Sequence, residues 1–370
     1  MLSVGIIAPI LPIYADTLGA TSLWVGVIFS GYAIARTFLL PFIGRLSDRR
    51  GRKLILSAGL FASALISFAY VLADNVASLF VIRLLQGAAI CTVQPISQAY
   101  VGDIAPQGEE GKWMGYVNAM FFIGWGFGPL LGGVITDYVG MDAAFYTMGG
   151  LNILAFLGVV LFLPEIAPRR EMSAPSSSFR EVASSNVMRG LFSFQMGTSS
   201  HRGIVQTFMP IFAGLTIGLS STLIGILLST LVIGAALLQL FSGRLADRFN
   251  RRVIVILGSL CILVSMLLVP QAGGFWLLFV FLAIAIIGDA TALPSASVMG
   301  VEEGRKYGMG MAMAMFNTGM GVGTAIGPIL AGLAADAFGV HYAFYTAAAI
   351  VLIGVVAFGL FTRLGSTVKT

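Results

Sequence analysis

Charge is scarce in this chain. Only 10% of its 370 residues are Asp, Glu, Lys or Arg, where a soluble protein carries about a quarter. An ordinary water-facing shell is therefore excluded. Cysteine is scarcer still. Cys91 and Cys261 are the only two, each inside an apolar run, so neither a disulfide framework nor a thiolate metal site is expected. No glycine-rich phosphate loop ending in Lys-Ser or Lys-Thr occurs, which argues against ATP hydrolysis by this chain. Met1 leads straight into apolar sequence without a basic stretch, so a cleavable signal peptide is not expected. No cofactor and no metal is called for.

What fills the chain is apolar: 58% of residues are hydrophobic, in stretches that recur along the whole length. A lipid bilayer is the expected solvent. Twelve helical segments are expected, at 2–14, 22–43, 54–73, 79–101, 113–135, 143–163, 188–212, 222–242, 253–270, 275–299, 307–332 and 342–362. Most are near the ~20 residues that span a hydrocarbon core. The stretch 164–187 breaks the pattern with Pro, Ser and charge and reads as a linker. The expected organisation is a six-helix bundle over 1–163, a cytoplasmic linker over 164–187 and a second six-helix bundle over 188–370.

The formal charge of +5 does not point to nucleic acid, because the basic residues sit in short loops between apolar runs. With the N-terminus placed in the cytoplasm, Arg45, Arg49, Arg50, Arg52, Lys53, Lys112, Arg169, Arg170, Arg180, Arg189, Arg244, Arg248, Arg251, Arg252, Arg305, Lys306, Arg363 and Lys369 all fall inside. The remaining three, Arg36, Arg83 and Arg202, lie within helical segments. Basic residues mark cytoplasmic loops, so both termini are expected inside a cell membrane, the bacterial inner membrane being the natural setting.

The chain repeats itself. Gly44-Arg-Leu-Ser-Asp48-Arg-Arg-Gly-Arg-Lys53 returns as Gly243-Arg-Leu-Ala-Asp247-Arg-Phe-Asn-Arg-Arg252, a shift of 199 residues. The same shift maps Pro95 onto Pro294, Gly128-Pro129 onto Gly327-Pro328, Asp137 onto Asp336 and Phe145-Tyr146-Thr147 onto Phe344-Tyr345-Thr346. A repeat this long is no solenoid unit; it indicates two similar halves related by a pseudo-twofold axis. Under the shift Met1 corresponds to Ser200, while the seventh segment begins near Met188. The first helix is therefore expected to be short or truncated, since 2–14 would rise only about 20 Å against a core of about 30 Å.

Four motifs together resemble the major facilitator superfamily. Gly44, Asp48, Arg49, Gly51 and Arg52 match its signature loop between the second and third helices, with Gly243, Asp247 and Arg248 in the second copy. Leu79-x3-Arg83-x2-Gln86-Gly87 looks like its fourth-helix motif. Gly124, Gly128, Pro129, Gly132 and Gly133 are similar to the fifth-helix motif of its proton-coupled exporters. Pro9-Ile-Leu-Pro12 is similar to a first-helix pattern of twelve-helix drug exporters. The resemblance covers the whole chain and implies an all-α membrane fold, two six-helix bundles around a cavity open to each side in turn. It also implies a cytoplasmic latch at the signature loop and a hinge and seal at the fifth helix. Phe249 and Asn250 depart from the pattern, so the second latch is expected to be weaker.

The residues support these assignments. Gly44 and Gly51 suit a tight turn, and Asp48, placed near the start of the third helix, would be stabilised by that N-terminus. Packing alone explains much of the fifth-helix glycine run. Polar side chains within spanning helices carry most of the functional expectation, because they are costly in lipid. At 100° per residue Gln86, Gln94, Ser97 and Gln98 share a face with Arg83, and Gln195, Thr198, Ser199 and Gln206 flank Arg202. The glutamines fit substrate contact or plain interhelical bonding equally. Asp289 is the one acid deep within a helix, and either exchanges a proton or neutralises Arg36, Arg83 or Arg202. His201 is expected to face a different direction from Arg202 and to be structural; the alternating Met309, Met311, Met313 and Met315 read as adaptable packing.

The expected function is export of small, drug-like organic molecules by proton antiport. Asp289 and Arg83 would couple the proton, and Arg36, Gln86, Gln94, Gln98, Arg202 and Gln206 would line the substrate cavity. The expected partners are substrate, protons and the bilayer, with the chain a monomer, and no enzyme activity. Three helix arginines against one acid also suit an exporter or facilitator of anionic or neutral metabolites such as sugars or organic acids. A non-transporting sensor or scaffold would normally carry an added soluble domain, and no internal segment exceeds the 24-residue linker.

Overall fold

A computed structural model gives the fold. It describes residues 1–106, 109–165 and 179–364; side chains at 110–111, 179–180, 240–248, 309–310 and 364 lie outside the description. Among the described residues every regular element is helical. In chain order these are α1 (Leu2–Ile6), α2 (Leu11–Thr17), α3 (Ser22–Arg50), α4 (Arg52–Ala69), α5 (Val76–Ile90), α6 (Val93–Ile104), α7 (Glu110–Tyr138) and α8 (Met141–Phe162). There follow α9 (Phe179–Ser184), α10 (Asn186–Ile211), α11 (Ser221–Arg248), α12 (Arg251–Leu268), α13 (Phe275–Tyr307), α14 (Met309–Phe338) and α15 (His341–Leu364). Ten spans among the described residues are long and apolar enough to cross a membrane; α10 and the α1–α2 pair stand outside that set.

Prolines and glycines set the departures from the expected segments. The first segment is not one helix: its ladder lapses over residues 7–10 between α1 and α2. Pro9 has no N–H to give, and Pro12 sits in the first turn of α2, where a proline is tolerated. The fourth segment is likewise two helices, because Pro95 cannot donate to the carbonyl of Cys91. The ladder stops at Cys91–Thr92 and restarts with Pro95 in the first turn of α6. The second half does not repeat that break, for α13 runs through Pro294 unbroken.

The signature loop is also shorter than its sequence suggests. α3 continues through Gly44 and Asp48 to Arg50, and α4 starts at Arg52. Gly51 alone makes the turn, at φ +94°, a conformation that favours glycine. Gly44 lies inside a helix with open space around it, and Asp48 occupies the last turn of α3 rather than the start of the next helix.

Two compact units emerge. Unit 1 comprises Met1–Ala20, Val27–Met172 and Ser220–Ile233; unit 2 comprises Thr21–Gly26, Ser173–Leu219 and Gly234–Thr370. Two helices thus change unit along their length: α3 gives its first five residues to unit 2, and α11 gives its first thirteen to unit 1.

Within unit 1, α7 lies directly against α1. A methyl group on Gly132 would overlap the carbonyl oxygen of Ile6, and one on Gly128 would overlap the backbone of Gly5. Small residues are what permit helices to approach so closely in lipid. Unit 2 repeats the arrangement, with Gly323 and Gly327 of α14 against Met196 and Ser200 of α10.

The units differ in one filled volume. In unit 2, Met188, Leu191 and Phe194 of α10 pack in a core with Val255, Ala292, Ala296 and Phe358. Their counterparts under the 199-residue shift, Leu56, Val93, Ser97 and Val159, line a cavity of about 310 Å³ in unit 1, edged by Met1, Leu2 and Ser3.

Candidate functional site

Each unit has a charged centre among its helices. In unit 2 the centre is Asp289, on α13. Its Oδ1 accepts from Arg202 Nη2 at 2.9 Å and its Oδ2 from Arg202 Nε at 3.3 Å. The fork of the guanidinium meets the fork of the carboxylate, the strong, directional form of this pair. Of the partners that sequence left open for Asp289, tertiary packing thus selects Arg202. The two side chains keep 32% and 14% of their surface exposed, so the pair is neither fully dry nor fully wet.

His201, expected to face a different direction from Arg202, brings its Nδ1 to 4.0 Å from Asp289 Oδ2, the oxygen that Arg202 Nε engages. The imidazole is buried, and neither ring nitrogen has a hydrogen-bond partner. Adjacent residues, one helical step of about 100° apart, both reach the carboxylate here because Asp289 lies close against α10. The rest of the α10 face is buried too: Gln195, Thr198 and Ser199 are enclosed, with Gln195 Oε1 unpartnered. Thr198 bonds back to the Phe194 carbonyl at 3.1 Å, and Gln206 is half-buried.

In unit 1 the centre is Arg83, on α5, only 4% exposed. No carboxylate pairs with it among the described residues. Its guanidinium carbon instead stands 4.9 Å from the ring centre of Phe29 and 5.1 Å from that of Tyr32. Aromatic faces attract a cation through their quadrupole, more so when water is excluded. Arg83 Nη1 donates to Gln86 Oε1 at 2.6 Å, and the same oxygen accepts from Tyr70 Oη at 2.6 Å. Tyr70 is held in turn by stacking on Phe145, ring centres 5.2 Å apart. Arg83 Nε remains a buried donor without a partner.

The other expected cavity residues do not share one face of one helix, because the α5–α6 break interrupts the stripe. Arg36 Nη2 donates to Gln94 Oε1 at 3.0 Å, and Gln98 Nε2 donates to Asn118 Oδ1 at 2.8 Å. Arg36–Gln94 and Arg83–Gln86 are thus separate contacts.

At the signature motif, Arg52 pairs with Asp103 and lies 3.4 Å from Asp48. Unit 2 has the counterpart pair Arg251–Glu302, two residues that stand 199 positions after Arg52 and Asp103. Gly243, Asp247 and Arg248 lie in α11, and their side chains are outside the described residues.

Several participants were missed by sequence reasoning. Tyr70, Asp103 and Glu302 are examples, as is Asn152, which accepts from Ser3 Oγ at 2.9 Å and donates to Ser67 Oγ at 3.2 Å. Asp103 and Glu302 carried a signal, since both are acids under the 199-residue shift. Nothing local marked Tyr70 or Asn152, whose roles depend on partners 16 to 149 residues away.

Spanning helices that repeat under one shift, with an ion pair in one unit and an arginine against two aromatic rings in the other, are those of a membrane transport protein. The chain belongs to the Major Facilitator Superfamily, whose sequence pattern it matches over residues 1–216 and 198–369. Proteins of that family are transporters and not enzymes, so this is a multi-pass membrane transporter with a small-molecule substrate. An uncharacterised MFS-type transporter of Methanocaldococcus jannaschii is 28% identical over 365 residues, 97% of this chain and 94% of the relative. The quinolone resistance protein NorA of Staphylococcus aureus is 24% identical, covering 96% of this chain and 92% of its own. Among solved structures, a bacterial homologue of the human lysosomal transporter Spinster, inward-facing and unoccupied, superposes with a TM-score of 0.82. It is 16% identical and covers 99% of this chain and 94% of its own.

Proposed function

We propose that this transporter exports small, drug-like organic molecules in exchange for protons, through alternating exposure of a central site. The observation that carries the reading is the Arg202–Asp289 pair. Protonating Asp289 removes the charge that holds Arg202, so one proton switches the partner of a helix cation. Likeness to NorA over nearly the whole chain supports drug-like substrates. Arg83, Gln86, Arg36, Gln94, Gln98 and Gln206 then serve as the remaining polar positions of coupling and binding. In this reading 1–163 and 188–370 are the two moving bundles. The chain works as a monomer in a bacterial inner membrane, with both termini and the 164–187 linker cytoplasmic.

One observation favours a second reading. Arg83 and Arg36 have no carboxylate partner among the described residues, and an unneutralised helix cation suits an anionic substrate. Transport in proteoliposomes decides between the two. Cationic, neutral and anionic solutes are each offered with and without an imposed pH gradient. Gradient-dependent movement of ethidium, abolished by Asp289→Asn, supports the first reading. Gradient-independent movement of organic anions alone replaces it with the second.

A further inference from the structure

Two carboxylates outside the site described above occupy equivalent places. Asp137, near the end of α7, accepts from the backbone N–H of Ser221 at 3.0 Å and of Thr222 at 2.7 Å. Asp336, near the end of α14, accepts from the backbone N–H of Ser22 at 2.7 Å and of Leu23 at 3.0 Å. Asp137 and Asp336 are 199 residues apart, and so are Ser22 and Ser221. Each contact lies within one compact unit, yet each joins a residue of 1–163 to a residue of 188–370.

The first turn of a helix leaves four N–H groups without partners in the helix. At α3 and α11 all four are accounted for in the same way. The first two go to the remote aspartate. The third meets the side chain of Thr21 or Ser220, and the fourth bonds the backbone carbonyl of that same residue. Local capping needs only Thr21 and Ser220. Yet each aspartate reaches across 84 or 314 residues of sequence to finish the job. Close approach permits it: a methyl group on Gly133 would overlap the Ser221 carbonyl, and one on Gly332 would come 2.5 Å from the Ser22 carbonyl oxygen. Both aspartates are exposed at the helix ends, so water can replace either contact at little cost, as a reversible contact requires.

We propose that Asp137 and Asp336 are a matched pair of clasps that hold the protein shut at the end where α3 and α11 begin, and that both release when that end opens. The proposal rests on alternating opening of the two ends, and on neither the substrate nor the proton.

The test therefore uses amide hydrogen exchange of the full chain in nanodiscs, without substrate. Cys91 and Cys261 are first replaced by alanine. Asp137→Cys with Ser221→Cys, and Asp336→Cys with Ser22→Cys, put a thiol on each side of the two contacts for oxidation to join. In the oxidised chain, amides of 21–26 and 220–225 are expected to exchange more slowly, and those of 44–53, at the far end of α3, faster; reduction reverses both. Asp137→Asn with Asp336→Asn, which keeps the shape, should move 44–53 the other way, the closed-to-open ratio falling about fivefold per clasp. Changes confined to 21–26 and 220–225 in both experiments would make the aspartates mere local caps and overturn the proposal. So would failure of both thiol pairs to join in protein that otherwise folds. Should the cysteine variants aggregate, the asparagine pair decides alone.

Discussion

Asp289 and Arg202 offer the most direct test of how the site is held. Replacing Asp289 by leucine removes both hydrogen bonds to the guanidinium and leaves Arg202 charged among spanning helices. Breaking a fully buried pair in this way costs about 3–5 kcal/mol. Here the side chains retain 32% and 14% of their exposure, so water takes over part of the lost interaction and the cost should be about 2 kcal/mol. That is roughly a 30-fold change in the unfolding equilibrium. Arg202→Met should also cost stability, because it removes the same two hydrogen bonds. In the double variant neither charge is left uncompensated, and the loss should fall well short of the sum of the single losses, by about 1–2 kcal/mol. The measurement is reversible denaturant unfolding of the purified protein in mild detergent, all four proteins under one set of conditions. Additive losses would mean that the pair contributes no coupling and that the geometry of Asp289 is incidental. Transport measured alongside separates stability from mechanism: the double variant should recover stability without recovering gradient-driven transport.

Arg83→Lys should fail to restore the transport lost in Arg83→Ala, since an ammonium cannot both lie between Phe29 and Tyr32 and reach Gln86 as a planar guanidinium does; wild-type rates in the lysine protein would refute this. Gly132→Leu should block accumulation of folded protein, or cost several kcal/mol by roughly the scale of core overpacking, because the carbonyl of Ile6 occupies the space; near-normal unfolding would show that α1 can move aside. Asp48→Asn should change stability by less than about 1 kcal/mol, the Asp48 side chain being 60% exposed, yet slow transport more than Asp247→Asn at matched expression. Equal rates would remove the asymmetry between the two copies of the motif. For topology, on a cysteine-free background, Asp74→Cys should react with an impermeant reagent added to intact cells and Glu109→Cys should not; the reverse would invert the protein in the membrane.

Much of this protein is legible from hydropathy and repetition alone. Bilayer residence follows from local sums over about twenty residues, and the Gly44–Lys53 and Gly243–Arg252 copies announce two similar halves without any structure. Helix continuity is less legible. Proline at 95 stands where α5 gives way to α6, whereas proline at 294 leaves α13 intact, so the proline alone does not decide the break. The site was legible as residue types but not as pairs. Arg36, Arg83 and Arg202 are alike in sequence: each is one arginine in an apolar run. Only the folded chain brings Arg202 to Asp289, sets Arg83 against Phe29 and Tyr32, sets Arg36 on Gln94, and turns His201 toward the same carboxylate. It alone carries Asp137 to Ser221 and Asp336 to Ser22. Hydrophobic period and charge bias are properties of neighbours along the chain, so sequence determines them. Which polar groups meet depends on distances across tens to hundreds of residues, and that is settled only when helices pack.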